Sequence, residues 1–177
     1  TYDYIIAGAG CAGLSLAVHM IESGKFNDKR ILIVDKDEKA KNDRTWCFWE
    51  KEKEFYEPLV DARWSRLKFE SPTLTKVFQL EEYEYKLIRS ANYYRFILEK
   101  ALLNNVEFKT EKIHAITDIN GLVLVSTDLG EYKSTYVFNS TNLFSPTMSK
   151  EETLLQHFLG WFIKAENNCF DTSIGTL

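Results

Sequence analysis

The sequence predicts an α/β fold in which a parallel βαβ unit is followed by an antiparallel meander. The apolar run Tyr4–Ala7 leads through a glycine-rich turn into a helix-patterned stretch, and a second apolar run, Ile31–Val34, follows. Apolar residues then alternate with a period of two through residues 106–138, around the hairpin sequence Asn120-Gly121. The first pattern is typical of a parallel sheet covered by a helix, and the second is typical of strands joined by hairpins.

The turn after the first strand has the spacing Gly-x-Gly-x-x-Gly, at Gly8, Gly10 and Gly13. In a dinucleotide-binding turn, the first glycine allows the tight turn, the second admits a pyrophosphate, and the third lets the helix pack on the strand. The helix N-terminus adds unpaired N–H groups and a partial positive charge. Asp35 follows about 20 residues later, where an acidic residue accepts hydrogen bonds from the adenosine ribose. We therefore predict a dinucleotide site; the alternative is a glycine-rich turn that binds no nucleotide.

The next elements follow from local patterns. The first helix is predicted from about Cys11 to Ser23, with Gly24 suited to end it. The charged stretch 36–44 is predicted to be turn-rich, not helical, and it leads into an aromatic loop at Thr45–Trp49.

Strands and a second helix are predicted between this loop and the meander. The alternating charges of Glu50–Glu54 indicate a solvated face. Residues 64–88 contain short alternating runs that are typical of strands. Ser90 is predicted to cap a helix over roughly 91–103. The predicted core face of this helix consists of Tyr94, Ile97, Leu98, Ala101 and Leu102.

The order of these elements favours one class of nucleotide-binding protein. A simple NAD-dependent dehydrogenase would continue with alternating strands and helices. This chain continues with an aromatic-rich excursion, one helix and a meander, which is the layout of FAD-binding flavoproteins of the glutathione-reductase and hydroxybenzoate-hydroxylase type. Asp35 also disfavours a 2′-phosphate, so FAD or NAD is expected rather than NADP, and FAD is the better choice.

We therefore predict an FAD/NAD(P)-binding Rossmann-like fold with an antiparallel β-meander and the start of a substrate domain. The FAD-binding domain is expected at residues 1–145, with an inserted excursion at about 42–88, and a truncated substrate domain is expected to begin at 146–177. The predicted cofactor contacts are Gly8, Ala9, Gly10, Cys11, Ala12, Gly13, Asp35, Lys36, Arg44 and Arg89. For Lys36, Arg44 and Arg89, a solvated surface position is the alternative.

The composition excludes several function classes. A net charge of −4 leaves no basic stripe, so no nucleic-acid partner is expected. No apolar run approaches the ~20 residues that span a bilayer. The 3 cysteines are odd in number and widely spaced, which suits a reducing compartment and predicts neither a disulfide framework nor a metal site. Because the chain opens directly on a strand, we expect no signal peptide and a cytoplasmic location.

Three segments resemble bacterial lycopene beta-cyclases. They are Asp3–Asp35 with the glycine fingerprint, Asn42–Trp49 with a Thr-Trp-x-Phe element, and Gln156–Ile163 with a Gly-Trp element, followed by Phe170-Asp171. The resemblance covers most of the chain. The fingerprint is shared with many flavoproteins, whereas the other two elements are short but more distinctive. Ile113–Ile116 resembles the strand whose backbone brackets the adenine in such folds, and core packing is the alternative.

The resemblance implies that reduced FAD, with NAD(P)H as electron source, supports cyclisation of a linear carotenoid without net redox change. The reaction needs protonation of a terminal double bond, stabilisation of a tertiary carbocation and loss of a proton. The expected partner is a hydrophobic carotenoid, which implies peripheral contact with the inner face of a membrane. The aromatic side chains of Trp46, Phe48 and Trp49 are candidates for a tunnel wall, with core packing as the alternative.

No catalytic residue is assigned, because the acidic motifs of the resembled family lie beyond Leu177. The chain is therefore expected to be a fragment that binds FAD weakly and does not cyclise lycopene. An FAD-dependent monooxygenase or prenyl reductase shares every residue of the fingerprint and stays an alternative, and so does a non-catalytic nucleotide-binding fragment. The Thr-Trp-x-Phe element favours the cyclase.

Overall fold

The computed structural model describes residues 1–143, 163, 165–167 and 169–176. These residues belong to two compact units, one formed by residues 1–45 and 89–143, the other by residues 46–88 and the described residues from 163 onward. The expected substrate-domain segment 146–177 lies largely outside the described residues, as does the Gly-Trp element within it. The predicted domain boundaries therefore stay predictions.

The strands and helices follow one another along the chain in a mixed order. They are β1 (Tyr2–Ala7), α1 (Cys11–Glu22), β2 (Ile31–Asp35), β3 (Thr45–Glu50), a 3₁₀ turn (Glu57–Leu59), β4 (Val60–Trp64), β5 (Arg66–Ser71), β6 (Leu74–Gln79), β7 (Glu84–Arg89), α2 (Ser90–Leu103), β8 (Glu107–Thr110), β9 (Ile113–Ile119), β10 (Leu122–Thr127), β11 (Glu131–Asn139) and β12 (Gly175–Thr176).

The first unit is built on a six-stranded sheet in the order β8-β2-β1-β11-β10-β9. β1 pairs in parallel with both β2 and β11, and β2 pairs in parallel with β8. The last three strands, β9, β10 and β11, form the antiparallel meander. Ile5, Ile6, Leu32 and Ile33 are fully buried, as expected for strands covered on both faces. The predicted βαβ unit followed by a meander is confirmed.

Helix α1 ends close to the predicted position. Its buried stripe includes Leu14, Ala17 and Val18. Gly24 has a φ of +65° and donates its N–H to the carbonyl of Ile21 at 3.1 Å, which is the left-handed conformation expected of a glycine just after a helix.

Helix α2 ends at Leu103 as predicted, but it differs from the prediction in its first residue and in one residue of its core face. Leu102 is 75% exposed, so its assignment to the core face was wrong. Ser90 is the first helical residue and not the cap, because Arg89 takes the cap position with extended backbone. The Ser90 hydroxyl oxygen instead accepts a hydrogen bond from Arg44 N–H at 3.0 Å, and Ser90 N–H donates to the Arg44 carbonyl at 3.0 Å. Ser90 therefore attaches the segment before β3 to the start of α2.

The second unit contains two three-stranded sheets, β12-β5-β6 and β3-β7-β4. The strands predicted within residues 64–88 are confirmed. The expected loop at Thr45–Trp49 is wrong, because these residues form most of β3. The strand reflects the preference of aromatic residues for extended backbone. Half-buried Trp46, Phe48 and Glu50 alternate with exposed neighbours along it.

Glu50 does not lie on a solvated face, so the prediction for Glu50–Glu54 is wrong at this residue. Its carboxylate lies 2.5 Å from Nζ of Lys86, whose side chain is 1% exposed. Glu57 lies 2.7 Å from the same ammonium and 2.7 Å from Arg63. Burial opposes the charge of Lys86, but the hydrogen bonds to Glu50 and Glu57 outweigh it, so the pKa of Lys86 is raised. These charges hold four elements of the second unit together: β3, the 3₁₀ turn, β4 and β7.

Within the part of the chain that the structure describes, no helix is both long and apolar enough to cross a membrane.

Candidate functional site

Two glycines of the turn between β1 and α1 are required by the fold. Gly8 has a φ of +100°, and a Cβ there would lie 3.0 Å from the carbonyl oxygen of Ser140. A Cβ on Gly13 would lie 2.0 Å from the carbonyl oxygen of Gly8. Helix α1 can therefore approach the end of β1 only because position 13 has no side chain.

Gly10 is different, because a Cβ there would meet no atom of the described residues within 4 Å. Its backbone angles, φ −77° and ψ −174°, are open to any residue. Gly10 occupies the N-cap of α1, and among the described residues no side-chain cap hydrogen bond is made there. The first N–H groups of α1 are therefore available to a ligand. A glycine that the fold does not need, at such a helix end, fits the close approach of a pyrophosphate.

The carboxylate of Asp35 connects the end of β2 to this turn. One oxygen accepts the N–H of Ala9 at 2.6 Å, and the other accepts the N–H of Asp37 at 2.9 Å. The ammonium of Lys39 lies 3.1 Å from the second oxygen, and both side chains are 12% exposed. A carboxylate has about four acceptor positions, so one ribose hydroxyl can bind while these contacts persist, and a second would compete with Lys39.

A cavity of about 360 Å³ opens where β1, β2 and β11 end. The end of β2 supplies Asp35 and Lys36, the start of β9 supplies Ile113 with the preceding Lys112, and the segment after β11 supplies residues 140–143. Ligands of open α/β sheets bind outside the carboxyl ends of the strands, so this position is the one expected for an adenosine group.

The segment after β11 also contributes to the site, which no sequence motif indicated. Asn139 Oδ1 accepts hydrogen bonds from the N–H and hydroxyl of Thr141, at 2.9 and 2.6 Å, and Ser140 N–H donates to the carbonyl of Ala7 at 2.7 Å. The signal was a run of polar residues directly after a strand. It could be interpreted only with the parallel pairing of β11 with β1, which a meander pattern does not reveal. Lys39 and Lys112 were missed for a related reason, since turns bring them to the cavity.

The structure brings together some of the predicted contacts and not others. Gly8, Asp35 and Lys36 line the cavity. Cys11 and Ala12 are exposed in the first turn of α1, beside buried Ala9 and Gly13. Arg44 and Arg89 both lie at the start of α2 and are not among the described residues that line the cavity.

The fold and the site together define a class. A strand, a glycine turn and a helix, with an acidic residue at the end of the second strand and a cavity at the carboxyl ends, are the features of a dinucleotide-binding α/β protein. The family can be stated more closely. Residues 3–177 match the family described as lycopene cyclase protein, and the chain belongs to that family. No curated protein matches it.

Several solved structures share this fold. The chain is similar to the halogenase PltM, with a TM-score of 0.58 and 18% identity over 78% of this chain and 34% of that chain. One structure of that halogenase contains phloroglucinol and FAD. The Diels-Alderase PyrE3 gives a TM-score of 0.60 and 16% identity, over 79% of this chain and 32% of that one. A flavoprotein/dehydrogenase from Cytophaga hutchinsonii gives 0.52 and 12%, over 78% and 38%. These likenesses confirm the predicted Rossmann-like fold, and the chain spans only the stated fractions of those proteins.

Proposed function

We propose that this chain is the FAD-binding part of a lycopene cyclase, which closes beta-ionone rings on linear carotenoids without net redox change. The observation that carries the proposal is Gly10, which leaves open space at an uncapped helix N-terminus although the fold does not need a glycine there. Membership of the lycopene cyclase family supports the reaction. The FAD in a structure of the similar halogenase supports the choice of dinucleotide.

The residues of the site have separate tasks in this proposal. The first N–H groups of α1 hold the pyrophosphate, and Gly10 gives it room. Asp35 accepts a hydrogen bond from the adenosine ribose while it braces the turn through Ala9 N–H. Lys36, Lys112 and Ile113 line the space for the adenosine. When bound and kept reduced by NAD(P)H, FAD supplies an electron-rich ring system that supports the acid–base steps of cyclisation.

The activity is tested with the full-length protein that contains this chain, expressed in a host that accumulates lycopene. Beta-carotene is the expected product, and NAD(P)H consumption should not match product formation. A hydroxylated product, or NAD(P)H consumed in proportion to substrate, would support a monooxygenase or prenyl reductase instead. The carotenoid substrate also implies that the protein works at the inner face of a membrane, which a flotation assay with lycopene-loaded vesicles tests.

FAD binding is tested on the 177-residue chain. Wild-type protein should quench flavin fluorescence on titration. The Cβ of Gly10→Ala would occupy the space of the pyrophosphate and disrupt its charge-assisted hydrogen bonds with the first N–H groups of α1, so FAD binding should weaken by about tenfold or more. His19→Ala is the control, since it changes an exposed side chain on the same helix, away from the glycine turn. Equal FAD affinity of wild type and Gly10→Ala would contradict the assignment of the pyrophosphate to this turn.

A further inference from the structure

The connection between β8 and β9 forms one wall of the cavity and is held from two sides. Glu111 N–H donates to the carbonyl of Asp35 at 2.8 Å, which attaches the connection to the end of β2. Lys112 N–H donates to Oδ1 of Asp128 at 2.9 Å, and Asp128 N–H donates to the carbonyl of Lys112 at 3.1 Å. The same connection presents Lys112 and Ile113 to the cavity.

The side chain of Glu111 adds a third attachment. Glu111 is 8% exposed, which is rare for a carboxylate. One of its oxygens accepts the hydroxyl of Tyr132 at 2.6 Å, and the other accepts the hydroxyl of Thr127 at 2.6 Å. These donors stand at the two ends of the turn between β10 and β11. Both oxygens of a buried carboxylate are thus hydrogen-bonded, as its desolvation requires.

The phenol of Tyr132 stays protonated, and therefore stays a hydrogen-bond donor, at neutral pH. Burial, together with the hydrogen bond to Glu111, raises the pKa of Tyr132 to about 12. The phenol therefore keeps its proton at neutral pH, and the hydrogen bond to Glu111 persists throughout the physiological range.

We infer that Glu111 is a positioning residue for the adenosine end of the dinucleotide, because its carboxylate fixes the connection that carries Lys112 and Ile113 against the turn between β10 and β11. The inference rests on the proposed function. Without the Glu111 side chain, the connection would keep its backbone bond to Asp35 and its bonds to Asp128, but nothing would attach it to Thr127 or Tyr132 through this carboxylate. The Glu111 carboxylate supplies two further hydrogen bonds, and binding sites depend on such supporting contacts to hold their walls in place.

The test is titration of the 177-residue chain with FAD and, separately, with ADP-ribose, which carries the adenosine diphosphate half alone. Glu111→Ala should weaken binding of both ligands by about tenfold. Glu111→Gln should restore most of the affinity, because an amide can pair with both hydroxyls. Glu131→Ala is the matched control, since it removes an exposed carboxylate from the same meander. Each titration is made well below the thermal unfolding midpoint of the variant.

The outcomes separate the two proposals. Wild-type protein that binds neither ligand would overturn the proposed function and this inference with it. Wild-type protein that binds both, beside a Glu111→Ala variant of equal affinity and lower thermal stability, would overturn this inference alone, because Glu111 would then only stabilise the meander.

A second pair of variants covers the case in which Glu111→Ala does not fold. Tyr132→Phe and Thr127→Val each remove one donor to Glu111. Each should weaken ADP-ribose binding, and the double variant should lose less than the two single losses combined, because both act through one carboxylate. Wild-type affinity in both single variants would overturn the inference.

Discussion

The two units of this chain use charge in opposite ways. In the first unit, the buried side chains at the centre of β1 and β2 are apolar, with Ile5, Ile6 and Leu32 fully buried. In the second unit, the sheet β3-β7-β4 contains Lys86, which has the largest fully buried side chain among the described residues. The first unit places the charged groups of Asp35, Lys36 and Lys112 at the carboxyl edge, where they line a cavity. The second unit pairs its charges with one another.

This difference predicts where each unit is sensitive. Apolar burial stabilises the first unit without partners, so its charged residues are available for a ligand. The ammonium of Lys86 is already engaged by Glu50 at 2.5 Å and Glu57 at 2.7 Å, and loss of this ammonium would leave the largely buried Glu50 carboxylate without the cation that pairs with it. Substitutions of charged residues should therefore alter cofactor affinity in the first unit and folding stability in the second.

The largest effect is expected for Gly13→Ala in the first unit. A Cβ at this position would lie 2.0 Å from the carbonyl oxygen of Gly8, so backbone atoms must move. We expect a loss of more than about 4 kcal/mol of the free energy of unfolding, or failure to fold. Gly10→Ala, where a Cβ meets open space, should cost no more than about 1 kcal/mol. Urea unfolding followed by circular dichroism measures both, and similar losses would contradict the steric distinction.

The next effect in size is expected for Lys86→Met in the second unit. The variant leaves Glu50 and Glu57 without their shared cation, and the expected loss is about 3 kcal/mol. Tryptophan fluorescence is a suitable probe, because residues 1–45 and 89–143 contain no tryptophan, whereas Trp46, Trp49 and Trp64 lie in the second unit. An unchanged urea midpoint would show that the cluster does not stabilise this unit.

The same cluster predicts the pH dependence of the fluorescence transition. Hydrogen bonds from Lys86, and then Arg63, lower the pKa of Glu57 from its ordinary 4.5, so its contribution is present above that pH and is lost as the pH falls through the folded-state pKa. The pKa of Lys86 is raised above 10.5, so its contribution is present below that pH and is lost as the pH rises further. The urea midpoint of wild type should decrease as the pH falls below 4.5 and as it rises above 10.5. The urea midpoint of Lys86→Met should change less with pH.

The glycine turn and the aromatic strand show what the sequence could and could not predict. The elements of the first unit followed from local patterns, because buried parallel strands are continuous apolar runs and each required glycine has a fixed place in the turn. The assignment of Glu50 to a solvated face was wrong, because its partner Lys86 is far away in the sequence and only the pairing of strands brings them together. Ser90 was misassigned as a cap for a related reason, since its hydroxyl binds Arg44 from a distant segment.

A smaller effect, measured as FAD affinity, is expected for Asp35→Asn. The amide keeps one acceptor for the N–H of Ala9 or Asp37 but loses the charge that pairs with Lys39 and the acceptor expected for the ribose. FAD affinity should fall by about tenfold. Asp37→Asn is the matched control, because Asp37 is exposed and its carboxylate accepts only a local backbone N–H, from Lys39, at 2.7 Å. An equal fall in both variants would contradict the ribose assignment.

The smallest effect is expected for Lys51→Ala, and this variant tests whether burial or distance makes an ion pair matter. Lys51 and Glu82 are 2.9 Å apart, close to the separations around Lys86, but their side chains are 52% and 65% exposed. Water already solvates both charges, so their loss should change the free energy of unfolding by no more than about 0.5 kcal/mol. The tryptophan transition measures this variant and Lys86→Met in the same unit. If Lys51→Ala cost as much as Lys86→Met, contact distance would be decisive and the contrast between a buried and a solvated charge would fail. If Lys51→Ala lowers the free energy of unfolding only slightly and Lys86→Met lowers it strongly, then the burial of Lys86, and not the contact distance, makes its ion pairs necessary for stability.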